Sequence, residues 1–114
     1  MITSVDNLLA QQIVNTVKDF CGYDINFINR TGIIFASTNP ARIGTFHEIG
    51  KRAAASGNTI EVTQDDTFTG TQQGINLPIY HNGRMLAVIG ITGKPDEVRK
   101  YAYLAERITI LLIR

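Results

Sequence analysis

Apolar side chains return every three or four positions from residue 2 to residue 20, at Val5, Leu9, Ile13, Val17 and Phe20, with Leu8 widening the stripe. That spacing predicts an amphipathic helix. Thr3 or Ser4 can cap its start, Asp6 suits the positive end of its dipole, and Gly22 stands where a left-handed terminating residue belongs. Two short β-rich runs follow at 25–28 and 33–37, separated by Asn29-Arg30-Thr31-Gly32, which has the composition of a hairpin loop. Thr45-Phe46-His47-Glu48 then reads as a capping box in which Thr45 and Glu48 bond each other's backbone N–H. The helix it opens is expected to close at Gly57.

A short strand at 59–62 and a polar loop at 63–71 lead into the chain's strongest local signal, the hairpin of residues 72–92. Its turn is Asn82-Gly83, two residues that tolerate the positive φ of a tight β-turn. Alternation places Ile75, Leu77 and Ile79 on one face and Asn76, Pro78 and Tyr80 on the other. On the return strand Ala87, Ile89 and Ile91 oppose Val88, Gly90 and Thr92, and the run is apolar on both faces, as expected of a central strand. Pro95, followed by Asp96 and Glu97, opens a last helix whose stripe is Val98, Tyr101, Ala105, Ile108 and Leu112.

The predicted order is α-β-β-α-β-β-β-α, an α+β fold with a five-stranded antiparallel sheet and flanking helices. This is similar to the PAS/Cache-like (profilin-like) arrangement, shared by GAF domains. At 114 residues the chain is one domain, 1–114. Its terminal helices carry more apolar surface than one sheet face covers, which points to a homodimer through them, and the apolar last turn at 108–114 suggests a piece of a longer protein. Eleven basic against ten acidic side chains give no field to draw nucleic acid or an anionic surface. One cysteine, Cys21, permits no internal disulfide, and the N-terminus lacks the features of a secretory signal, so a cytoplasmic location is expected.

Arg42, followed by Gly44 and a helix start, can offer a guanidinium, backbone N–H groups and a positive dipole end to a carboxylate. The bland alternative is a surface arginine beside an ordinary cap. His47 stands where the dipole favours the neutral imidazole, able both to donate and to accept, although an isolated histidine is commonly a packing residue. Asn76, in a strand that otherwise reads as buried, needs a backbone or a ligand partner for its amide. Gly74 and Gly90 mark bulges or close approach, with Gln73 and Thr92 at the ends of the space above Gly90. Enzyme motifs fail: Lys51 stands where a zincin helix requires histidine, the loop 90–95 is too short for a phosphate loop, and no nucleophile elbow exists. No cofactor or metal site is expected.

Three motifs in register, Arg42-Ile43-Gly44-Thr45-Phe46-His47-Glu48, Gln73-Gly74-Ile75-Asn76-Leu77-Pro78-Ile79 and Val88-Ile89-Gly90-Ile91-Thr92-Gly93 with Pro95, Val98-Arg99-Lys100-Tyr101, resemble the N-terminal sugar-diacid recognition domain of the carbohydrate diacid regulators. Ala10-Gln11-Gln12-Ile13-Val14 is similar to that family's first helix. The resemblance implies a non-enzymatic ligand sensor of a bacterial transcription regulator. It would take glucarate, galactarate or glycerate on Arg42, Ile43, Gly44, His47, Gln73, Gly74, Asn76 and Thr92. It also implies DNA binding by a C-terminal helix-turn-helix region not in this chain. Gln72 replaces a basic residue of the family pattern, which makes a hydroxy-monoacid the alternative ligand. The rival reading is a ligand-free homodimerisation module of the same fold.

Overall fold

The computed structural model describes residues 5–65 and 67–113. Helix α1 (Asn7–Cys21) leads into β1 (Ile25–Ile28) and β2 (Ile34–Ser37), then a 3-10 turn (Pro40–Arg42) and α2 (Glu48–Ser56). Strands β3 (Ile60–Val62), β4 (Gly74–His81) and β5 (Arg84–Thr92) follow, and α3 (Pro95–Leu112) ends the chain. One antiparallel sheet runs in the order β2-β1-β5-β4-β3, so β5, apolar on both sides, is the central strand. The β4–β5 turn is the expected one, with Asn82 at φ 53° and Gly83 at φ 76°.

Alternation divides the sheet. Ile25, Phe27, Ile75, Leu77, Ile79, Ala87, Ile89 and Ile91 pack against Ala10, Ile13, Val14 and Val17 of α1 and Val98, Ala102 and Ala105 of α3. Each fully buried side chain of the Val, Ile, Leu or Phe size contributes roughly 1.5–3 kcal/mol, so this face carries most of the stability. The opposite face is covered by α2, where Ala53 meets a small cluster of Ile28, Ile34 and Val88.

Several helix details differ from the sequence expectation. Asp6 is the N-cap of α1, its side chain accepting from Leu9 N at 2.7 Å, whereas Thr3 and Ser4 lie outside the described residues. Phe20 and Leu8 leave the packed stripe and are 74% and 71% exposed, because the buried line is Ala10, Ile13, Val14 and Val17. In α3 the line is Val98, Ala102, Ala105 and Thr109, and Leu112 turns outward. Small residues let this helix sit close to the sheet, and the Thr109 hydroxyl is satisfied by Ala105 O at 2.7 Å. The N-cap of α2 is His47 rather than Thr45. Residues ahead of it are extended, bridging Phe46 to Ile33, and the Thr45 hydroxyl donates to Arg42 O at 2.6 Å. Glu48 turns instead to Thr69 N, at 2.9 Å.

Candidate functional site

Register across the sheet explains the site's floor. Ser37, Asn26, Gly90, Asn76 and Ile60 stand opposite one another on successive strands, so one polar row crosses the sheet on the α2 face. Side chains close over Gly90: a Cβ there would lie 3.1 Å from Asn76 Oδ1, 3.3 Å from Ile28 Cδ1 and 3.9 Å from the Asn26 amide. Asn76 Nδ2 donates to Ile60 O at 3.3 Å, and its Oδ1 bonds nothing among the described residues. Asn76 is 2% exposed, and its Oδ1 lies over Gly90.

Above the row stands Arg42, placed by the 3-10 turn that Asn39 caps and Pro40 opens. With the Asn26 amide oriented to satisfy both ends, its Oδ1 accepts from Arg42 Nη1 at 3.1 Å and its Nδ2 donates to Ser37 Oγ at 2.6 Å. Arg42 Nη2 donates to Gly70 O in the loop between β3 and β4. Both acceptors are neutral. No carboxylate forms an ion pair with Arg42 among the described residues, since the nearby Asp24 is taken by Lys18 at 2.6 Å and Thr38 at 2.8 Å. Burial lowers the guanidinium pKa, an effect that Asp24 opposes, while the Lys18 ammonium holds the Asp24 carboxyl below its usual value. Among the described residues, three of the guanidinium's five N–H donors have no acceptor.

His47 is 3% exposed. Its Nδ1 accepts from Gly50 N at 2.8 Å and lies 3.4 Å from Thr71 Oγ1, so the neutral ring carries its proton on Nε2. Nε2 has no hydrogen-bond partner among the described residues. Burial, then the Arg42 charge, pushes the imidazole pKa down to about 4, which keeps the ring neutral at physiological pH. A cavity of about 290 Å³ opens here between Arg42, Thr45, Phe46, Gly70, Thr71 and Gln72. A larger cleft of about 560 Å³ lies at Tyr23 and the start of α3, but its Arg99 is already paired with Glu61 and Asp96.

The backbone donors expected to help Arg42 are occupied. Ile43 N bonds Pro40 O at 3.2 Å, Gly44 N bonds Ile34 O at 2.8 Å, and His47 N bonds Gly32 O at 2.7 Å. Glu48 N and Ile49 N are likewise taken, by Thr69 O and Thr71 Oγ1. Gln73 uses its amide to hold Thr63 O at 2.9 Å, and Gly74 is glycine because a Cβ would meet Ile91 O at 2.0 Å. Thr92 lies two pairs along from Gly90, on the same face. Of the expected residues, Arg42 lines this cavity; His47 is buried behind Thr71, Asn76 is buried in the sheet, and Gln73 and Gly74 have structural tasks.

Asn26, Ser37, Thr71 and the Gly70 carbonyl were not foreseen. Asn26 carried the same signal as Asn76, a lone amide in an apolar strand, whereas Thr71 and Gly70 sat in a loop without pattern. Among the described residues no cluster of His, Cys, Asp or Glu could hold a metal ion, and no helix is long and apolar enough to cross a membrane.

The chain is 35% identical over 104 residues to the carbohydrate diacid regulator of Escherichia coli, covering 88% of this chain and 26% of that protein. It is 34% identical over 109 residues to YsfB of Bacillus subtilis, covering 94% of this chain and 30% of that one. The chain therefore spans less than a third of these curated relatives. Among solved structures, the GAF domain of the nutrient sensor CodY from Clostridium difficile aligns with a TM-score of 0.59 and 13% identity, over 100% of this chain and 86% of that one. A free methionine-R-sulfoxide reductase from Neisseria meningitidis aligns at 0.61 and 15%, over 91% and 78%. A sensor and an enzyme share this GAF-like fold, so the fold alone decides nothing about activity. The family model for sugar diacid recognition matches residues 5–114, and the chain belongs to that family.

Proposed function

We propose that this domain binds the carboxylate of a small hydroxy acid or sugar diacid without turning it over, as the cytoplasmic sensing part of a bacterial transcription regulator. The observation that carries the reading is Arg42, a half-buried cation with neutral partners and uncommitted donors at a cavity mouth. Such a group gains most from an incoming anion, because its desolvation has already been incurred on folding. The carboxylate sits on Arg42, the neutral His47 donates from Nε2, and Asn76 Oδ1 accepts from a ligand hydroxyl, with Thr92 at the edge of the same face. Among the described residues that line the cavity Arg42 is the single cation, which favours glycerate over the six-carbon diacids glucarate and galactarate, whose second carboxylate finds Gln72 rather than a cation.

The signal passes through α1 and α3 to a helix-turn-helix region outside this chain. PAS and Cache sensors share this general arrangement of sheet and terminal helices. Leu8, Phe20, Leu104, Leu111 and Leu112 stand exposed on these helices, which supports a homodimer formed through them. Thermal unfolding with glycerate, glucarate, galactarate and a neutral polyol tests the reading. A ligand at ~100 times its Kd adds about 2.7 kcal/mol, a shift of several degrees for a domain of this size. Arg42→Ala is expected to abolish that shift with little change in the unliganded midpoint. A shift that survives in Arg42→Ala, or that the polyol also produces, would sink the assignment.

A further inference from the structure

The Arg42 guanidinium is bonded to a chain of polar groups that runs through Asn26 and the edge strand β2 to helix α1. Asn26 Oδ1 accepts from Nη1 at 3.1 Å, and Asn26 Nδ2 donates to Ser37 Oγ at 2.6 Å. Ser37 is then gripped by helix α1. Gln11 Nε2 donates to Ser37 O at 2.8 Å and Ser37 N donates to Gln11 Oε1 at 3.1 Å, a paired contact that ties the helix side chain to the backbone of β2. Asn26 is 2% and Ser37 1% exposed, so no water substitutes freely for either partner. β2 is an edge strand, which is why its backbone N–H and C=O at Ser37 are available to a helix side chain.

We propose that Asn26 is the positioning residue for Arg42, and that through Ser37 it conveys the state of the guanidinium to Gln11 on α1. The chemical argument is about geometry. A guanidinium rotates about its side-chain bonds unless its edges are fixed, and a carboxylate needs two of its N–H groups in one plane. Asn26 and Gly70 O fix one N–H on each terminal nitrogen, and the other three have no acceptor among the described residues. An anion arriving there draws the guanidinium toward itself, which lengthens or shortens the Asn26 contact and shifts the groups behind it. The site lies on one face of the sheet and α1 on the other, and this chain joins them by direct hydrogen bonds.

The inference rests on the ligand reading above, and one part of its test stands apart from that reading. In nitrogen-15 NMR of the Arg42 side chain, the wild-type Nη1 hydrogens should be resolved and slow to rotate. In Asn26→Ala they should average while the Nη2 signals, held by Gly70, persist. Calorimetry with glycerate and with glucarate should show binding weakened about tenfold or more in Asn26→Ala, the scale of losing a hydrogen bond to a charged group. Glycerate should also shift the Gln11 side-chain amide signals in the wild type but not in Asn26→Ala. Gln11→Ala should weaken binding roughly 2- to 30-fold, as expected for a coupled but non-contacting position. Should Asn26→Ala fail to fold by circular dichroism, Ser37→Ala removes the hydroxyl that steadies Asn26 and takes its place in each measurement. Unchanged Nη1 signals and unchanged affinity overturn the proposal. A wild-type protein that ignores both acids sinks the ligand reading instead, while the Nη1 signals alone then decide whether Asn26 positions Arg42.

Discussion

The two faces of one sheet do different things with neighbouring residues of the same strands. On the α1–α3 face, Phe27, Leu77 and Ile89 pair across three strands into a dry core. One residue along each strand, Asn26, Asn76 and Gly90 pair in the same way on the α2 face and make a polar row with a glycine at its centre. Register alone separates an apolar, stabilising surface from a polar one. The apolar face can support a cavity, an unpaired cation and a buried histidine opposite it, because stability on the order of 5–15 kcal/mol is concentrated elsewhere.

That contrast is most directly broken by Phe27→Ala. A fully buried phenylalanine on the closed face should cost about 3–5 kcal/mol by chemical denaturation, and the ligand-induced shift, measured on whatever native protein survives, should keep its selectivity among acids. Equal damage to selectivity and stability would mean that the two faces are not separable.

Acid attacks the other face. His47 has a pKa of about 4 when folded against an ordinary value of 6.5, so between these values the unfolded chain binds the extra proton. Stability from this group is complete above pH 6.5 and is lost as pH falls toward 4, by up to about 3 kcal/mol. His47→Asn, which can still cap α2, should flatten that slope in denaturation curves taken from pH 7 to pH 4. A slope that persists in the variant assigns the effect to another group.

The smallest change sharpens the comparison most. Gly90→Ala introduces a Cβ 3.1 Å from Asn76 Oδ1 and 3.3 Å from Ile28 Cδ1, tight contacts that a small shift relieves. Stability should move by no more than about 1 kcal/mol, since the backbone at Gly90 is ordinary strand. Affinity for glycerate should fall by a larger factor, because the methyl group presses on Asn76 Oδ1, the proposed acceptor of a ligand hydroxyl. If calorimetry finds the affinity intact, the ligand does not descend to Gly90, and Asn76 is a structural amide satisfied from its Ile60 side.

Signals that act within a few residues were legible in the chain. Asn82-Gly83 set the hairpin, Gly22 and Gly57 ended their helices in the left-handed region, and Pro95 began α3, because each depends on the φ preference of one or two residues. The alternation that put Asn76 and Gly90 on one face was equally local, as was the suspicion attached to Arg42 and His47. Tertiary contacts decided the rest. Phe20 and Leu112 match the helical period yet point outward, since which part of a broad stripe is buried depends on where the sheet lies. His47 displaced Thr45 as the cap because the chain before α2 bridges to Ile33, and no local pattern announces that pairing. The N–H groups around Gly44 were open to a ligand by sequence and closed by Ile34, Gly32 and Thr69, all distant in the chain. Most of all, the sequence supplied a cation but not its loneliness: that Asp24 turns to Lys18, leaving Arg42 with two neutral oxygens, follows from how three strands and a loop meet in space.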